Sequence, residues 1–403
     1  MNAAQVQIDL TPPPIVTVMQ RRSFIAGGIA AVIAVLGALI LHQWQQFFRA
    51  YLIGFLACQG ICLGSMAVLM LRHLTKGGWG MVIRRQLGAA MRTIPYLTLL
   101  FVPILLGLSH LYIWTQPLES IHDKKLHEHL ELVATSYMTV KGFIIRAVIY
   151  FAIWNLISFL LSKWSREQDS PTSPSNSKKF KALSGPGIIL YAFTISFAGI
   201  DWIMSLDPTW SSTMFGLLIL IGELMIALAF AIVVERILYR YKPMSELLKP
   251  DHVHDHGKLM LTFIMVWAYF SFSQWLILWA GNIPEEITWY IRRLNGGWQF
   301  VGLFLVIFQF VVPFVILLSR SFKRDITRLV WLAAWVIIMR FVDLLWLIEP
   351  NFSTSLTVTW LDIVVPVAIT GLWMGVFFRN LGSLPLVPAY DVDANEVLEV
   401  AHE

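Results

Sequence analysis

Glu223 lies about ten residues into an apolar run that begins near residue 213, a depth that puts a carboxyl close to the middle of a bilayer. A charged side chain there costs roughly 2.5–3.5 kcal/mol, so an ionisable residue so placed is a functional candidate whose partner must be found. Such a carboxyl can stay protonated and hydrogen-bonded to a neighbouring helix, relay protons, or bind an ion, and the sequence leaves all three open. Glu235 follows twelve residues, or about 18 Å, further along the same helix, at its expected cytoplasmic end. Asp201, Arg146, His110, Arg340 and Asp343 fall in the opposite half of their runs, and Arg340 and Asp343 have the i, i+3 spacing of a pair on one helical face. Tyr269 and Gln274, with Ser271 and Ser273, supply polar groups that can line a water chain or serve as interhelical hydrogen bonds. Together Asp201, Glu223, Glu235, Arg146, Arg340, Asp343, His110, Tyr269 and Gln274 are candidates for a proton path.

Other chemistry is less well supported. His252, His254 and His256 alternate in what reads as a loop from Asp251 to Gly257, a spacing that suits metal ligands on an extended strand. Ordinary polar or backbone contacts are the expectation for so short a loop. Cys58 and Cys62 are one helical turn apart inside an apolar block and read as small packing residues. Transmembrane haem needs axial histidines inside apolar helices, whereas nearly all the histidines here stand at span ends or in loops. Phosphate-binding, dinucleotide and iron–sulfur motifs and nucleophile elbows are absent. No catalytic, cofactor or metal residue is therefore assigned.

These side chains must be positioned by a membrane scaffold. Of 403 residues 57% are hydrophobic and 14% charged, well under the roughly 25% charged of soluble chains. Ten apolar runs long enough to cross hydrocarbon are expected at residues 24–44, 48–71, 93–115, 140–162, 184–206, 213–238, 259–281, 298–319, 326–348 and 357–378. The chain thus reads as an all-α integral membrane protein, one transmembrane domain over 24–380, with an N-terminal arm over 1–23 and an acidic tail over 381–403. Arg21, Arg22, Arg72, Arg84, Arg85 and most later basic residues fall on one side, against Arg49, Lys124, Lys125, Lys141, Arg292 and Arg293 on the other. Positive charge in short loops stays inside, so both termini are expected in the cytoplasm, and the net charge of +5 needs no nucleic acid. Pro12-Pro13-Pro14 suggests an extended, docked arm. Residues 79–94 suggest a helix lying in the interface, and 169–177 a Ser/Pro-rich linker. Trp44, Trp114, Trp164, Trp210, Trp289 and Trp360 read as headgroup anchors, and the long loop 116–139 as a possible partner contact.

The run from Gly199 through Asp201-Trp202, Ser205-Leu206-Asp207-Pro208 and Trp210 to Gly216 resembles the hallmark of the F subunit of bacterial alternative complex III. So do His254-Asp255-His256-Gly257-Lys258, Trp267-Ala268-Tyr269, Phe272-Ser273-Gln274 and Asn282-Ile283-Pro284-Glu285-Glu286. The family belongs to the NrfD-like, polysulfide-reductase-like membrane subunits. The resemblance implies two four-helix bundles flanked by the first and last helices, in a bacterial inner membrane. It also implies a non-catalytic subunit of a quinol:cytochrome c or other acceptor oxidoreductase, in a respiratory or photosynthetic chain. The expected partners are an NrfD-like sister subunit, an iron–sulfur subunit, multihaem cytochrome c subunits and membrane lipids. Haem and iron–sulfur clusters would sit in those other subunits, and menaquinol or a similar quinol would be the substrate of the complex. Contribution to proton translocation is the expected role; a purely structural scaffold and an independent secondary transporter are the alternatives.

Overall fold

The computed structural model describes residues 10–117, 119, 121, 127–128, 130–131, 137–169 and 176–388. The described residues contain no strand, and ten helices among them are long and apolar enough to span a membrane. They are α1 Ile15–Ile40, α2 Trp44–Thr75, α3 Gly78–Leu106, α4 Val140–Glu167, α5 Ser177–Leu206, α6 Phe215–Leu238, α7 Pro250–Gly281, α8 Trp298–Leu318, α9 Ile326–Asn351 and α10 Leu361–Leu381. The chain is a multi-pass membrane protein. Because successive helices alternate in direction, one end of the bundle gathers Arg72, Arg84, Arg85, Arg166 and Lys323; this is the basic end, and the other the far end.

Helices α2–α5 form one four-helix group and α6–α9 a second, joined along a seam between α2 and α6. Helix α2 is the centre of the molecule, buried along its whole apolar stretch. The two outer helices pack on each other beside the first group: α1 lies against α10, and α10 packs on α2 and α3. A stripe of Gly27, Ala30, Ala34 and Ala38 on α1 makes that contact, with Gly27 against the backbone of Gly371 and Leu372. Small residues let backbones approach where no hydrophobic force drives helices together in lipid. The opposite face of α1, with Ile25, Ile29, Val32 and Ile33, is exposed.

Several expectations change. The first helix begins at Ile15, not after Arg22, because proline needs no N–H partner in a first turn and Pro14 stands at the cap. The remaining described arm is short, and it docks: the Leu10 carbonyl accepts from the Leu386 amide at 2.9 Å. On the other side of that contact Leu386 and Val387 are buried, so the start of the tail is packed; 389–403 lie outside the described residues, as do 1–9 and 170–175. Loop 116–139 is mostly outside them too.

The stretch expected to lie in the interface is the first section of α3, Gly78–Met91, and its Ile83, Arg84, Arg85 and Leu87 are all buried. The arginines are accommodated because they reach the end of α4, Arg84 donating to Gln168 and Arg85 to Ser165 and Asp169. The reading of 251–257 as a loop also fails. Pro250 opens α7 and Asp251 stands in its first turn, where an acidic side chain complements the helix dipole. On a helix His254 turns away from His252 and His256, which share a face at i, i+4, and no group of three or more potential metal ligands occurs among the described residues. Trp210 and Trp289, expected as anchors, are buried and stack on each other at 4.6 Å.

Candidate functional site

Glu223 is 2% exposed and lies at the seam of the two four-helix groups. Two features of local sequence put it there. Gly60 and Gly64 on α2 face α6, and a Cβ at Gly64 would overlap the carbonyl of Glu223, so α2 can come close only with glycine at that position. That approach brings Gln59 within reach: its Nε2 donates to Glu223 Oε1 at 2.9 Å. From α5 the Tyr191 hydroxyl donates to Oε2, also at 2.9 Å. Both oxygens of this buried carboxyl are thus held by neutral donors.

The residue before it completes the arrangement. Gly222 carries no side chain, and the Arg340 guanidinium from α9 lies in the space where a Cβ would be. Arg340 in turn donates to Asp343, one turn further along α9, and both are buried. The i, i+3 pair expected from sequence is present, and its cation is aimed at the neighbour of Glu223. Beyond Asp343 comes Gln309, which donates to the Met339 carbonyl at 3.1 Å and accepts from the Trp267 indole at 3.2 Å. Gln309 sits in Val306–Val311, a π-helical stretch of α8 that re-aims its side chain inward. A polar row therefore runs Gln59, Tyr191, Glu223, Arg340, Asp343, Gln309, Trp267 across α2, α5, α6, α9, α8 and α7.

On the far side of Asp343 a cavity of about 700 Å³ opens between α7, α8 and α9. Gln274, Tyr290, Arg293 and Trp346 face it together with many apolar groups. Gln274 accepts from Ser212 at 3.3 Å and donates to the Tyr290 hydroxyl at 3.4 Å. Burial pushes Tyr290 up to about 12, so its hydroxyl stays protonated. Tyr269 lines the same cavity but is 64% exposed, turned towards the surrounding membrane and outside the polar row.

The other candidates are dispersed. Asp201 is 1% exposed and saturated: Arg146 Nε and Nη2 donate to it at 2.9–3.1 Å and the Tyr150 hydroxyl at 2.9 Å. This pair belongs to the α4–α5 contact and not to the seam. Glu235 is at the basic end, where His256 Nδ1 lies 3.1 Å from its Oε2 and His256 Nε2 lies 2.8 Å from the Trp79 carbonyl. The helix between Glu235 and Glu223 is apolar at every position from Leu224 to Val234. His110 is exposed, stacks on Phe48, and borders a cavity of about 380 Å³ at the far end with Arg49, Asp207, Arg292 and Asn351. Arg292 pairs there with Asp207 at 2.8 Å.

Gln59 and Tyr191, the partners of Glu223, were not among the sequence candidates, because uncharged polar groups were sought only in the seventh run. Uncharged polar residues inside apolar runs, flanked by Gly60, Gly64 and Gly222, were the available signal. Arg293, which is fully buried, was also passed over. Arg293 caps the end of α9, donating to the carbonyls of Trp346 and Leu347 and to Asn351, with its guanidinium 3.4 Å from the Trp289 ring centre. The chain matches no protein-family model, and no curated protein matches it.

Proposed function

We propose that the chain is a non-redox membrane subunit of a quinol-oxidising complex of the alternative complex III type, and that Glu223 exchanges a proton during turnover. In this reading the basic end is cytoplasmic, in a bacterial inner membrane. A sister NrfD-like subunit oxidises the quinol, and iron–sulfur and multihaem subunits at the far end carry the electrons. What supports the assignment is the pair of motif stretches, 199–216 and 254–290, on a scaffold of two four-helix groups with an added outer pair.

One observation carries the proton role: Glu223 is buried at the seam with neutral donors on both oxygens, while a guanidinium already paired to Asp343 lies against Gly222. With Glu223 protonated, one cation faces one anion, and the site is neutral. Loss of the proton leaves two carboxylates for one arginine, which a small swing of Arg340 past Gly222 can accommodate. A conformational event next door that moves α9 relative to α6 would therefore change the proton affinity of Glu223.

The test uses the purified complex in liposomes with a quinol and its acceptor. Co-purification with haem and iron–sulfur subunits is the first requirement; a chain that emerges alone and colourless removes the complex from consideration. Glu223→Gln should then keep quinol oxidation while lowering the number of protons moved per electron. Unchanged stoichiometry at normal turnover rules out Glu223 as the exchanging group. A scaffolding reading is favoured by one observation, the saturated Arg146 and Asp201 pair, and under it neutralising Asp201 harms assembly and not coupling.

A further inference from the structure

At the basic end a groove of about 590 Å³ runs between the break in α3, the last four turns of α4 and the end of α10. Its α4 wall is the stripe Arg166, Ser162, Phe159 and Asn155, spaced i, i+4, i+7 and i+11 counted back from the helix end, with Ser158 beside it. That stripe covers about 16 Å of depth and is graded. Arg166 is exposed at the top, Ser162 is buried with its hydroxyl lacking any partner, and below them Phe159 turns its ring outward, 64% exposed. Arg92 and Pro95 form the α3 wall, and Asn380, Ser383 and Leu384 close the third side.

Among the described residues, charge in the groove is not balanced. The neighbouring acids are engaged elsewhere, Asp169 by Arg85 and Glu167 by the Asn176 amide. Arg92 donates to the Asn380 carbonyl, a neutral acceptor, and its charged neighbours are Arg85, Arg166 and the Asp169 already paired to Arg85. Two guanidiniums and an orphan buried hydroxyl within about one helical turn, with Phe159 and Pro95 beside Asn155 and Ser158 below, fit a ligand that is anionic at one end and mainly apolar along the rest. An orphaned buried hydroxyl costs about 1–3 kcal/mol unless something supplies its partner.

We propose that this groove binds the phosphate headgroup of an acidic phospholipid. The phosphate oxygens accept from Arg92, Arg166 and Ser162, and one acyl chain lies along Phe159 and Pro95. Basic clefts between helices at a membrane surface bind acidic lipid headgroups by the same chemistry. The ligand would tie α4 to α10 and add to the polar contacts that Arg84 and Arg85 already make between α3 and the end of α4. The site stands apart from the polar row at Glu223 and does not depend on the function proposed above.

The test is native mass spectrometry of the purified protein after delipidation and titration with phosphatidylglycerol, phosphatidylcholine, or inorganic phosphate. Wild type should retain one phosphatidylglycerol at least fivefold more strongly than phosphatidylcholine, and millimolar phosphate should not displace it. Arg166→Gln, at an exposed position that folding does not need, should abolish that preference, as should Arg92→Gln. Lys178→Gln and Lys179→Gln, exposed charges at the same end, serve as controls and should leave it intact. Equal retention of both lipids, or a preference that survives Arg166→Gln, overturns the site. Displacement by phosphate shows a free-anion site and overturns the lipid.

Discussion

Replacing Gly222 with alanine adds one methyl group where the Arg340 guanidinium now lies. In an open helical position that substitution stabilises by roughly 0.8–1 kcal/mol, because glycine is the poorer helix former. Here the methyl must displace a buried cation. Overpacking costs typically 1–3 kcal/mol, and parting the guanidinium from Asp343 adds up to about 3–5 kcal/mol. The balance is a loss of about 1 kcal/mol if the ion pair holds and about 5 kcal/mol if it parts, with the sign reversed from the open case. Gly28 and Gly185 provide the controls, since a Cβ at either meets nothing within 4 Å. Cys58 and Cys62 supply the assay: both are free and buried in α2, next to the α6 seam, so a thiol-reactive fluorophore reports unfolding of the region in question. Gly222→Ala should melt several degrees below wild type, while Gly28→Ala and Gly185→Ala melt at or slightly above it. If all three melt together, the guanidinium does not occupy that space, and the proposed link between Arg340 and Glu223 is lost.

Removing Arg146 strands a carboxylate that is 1% exposed, whereas removing the charge of Asp201 leaves an arginine that is 21% exposed and can turn outward. Arg146→Gln should therefore destabilise by about 2–4 kcal/mol, Asp201→Asn by about 1 kcal/mol, and the double variant should lie near the Asp201→Asn value; a double variant as poor as the sum contradicts the pairing. Arg293→Lys keeps the charge but loses the fork that reaches two carbonyls and Asn351, so it should cost about 2–3 kcal/mol in the same melting assay, and a neutral outcome would refute the capping role.

The apolar runs made ten helices legible, because hydrocarbon thickness imposes a length and hydrogen bonding imposes a helix. Boundaries were less legible where polar residues lie within helices. Arg84 and Arg85 suggested a surface helix, yet their aliphatic stems cross buried space and only their tips meet the end of α4. The three histidines after Pro250 looked like a loop because polarity was read as irregularity, while the proline and Asp251 were start signals of α7. Among the candidate residues, Arg340 and Asp343 were found as a pair because i, i+3 neighbours meet on any helix. Arg146 and Asp201, 55 positions apart, could be listed as charges but not matched, since only packing decides which helices adjoin.

Glu223 differs from Asp201, Asp343 and Glu235 in a way that charge counting did not reveal. Asp201 and Asp343 each have an arginine, and Glu235 has His256, so a proton added to any of them breaks an existing pair. Glu223 alone among these four is held by an amide and a phenol, donors that are indifferent to its charge in sign though not in strength. It can gain or lose a proton without stranding a partner, and the one cation able to answer that change stands a glycine away. The small residues of the seam, Gly60, Gly64 and Gly222, create this condition by bringing the polar groups of α2 and α9 up to α6. Enlarging Gly60 or Gly64 should alter the protonation of Glu223 directly, whereas enlarging Gly222 acts on it through Arg340.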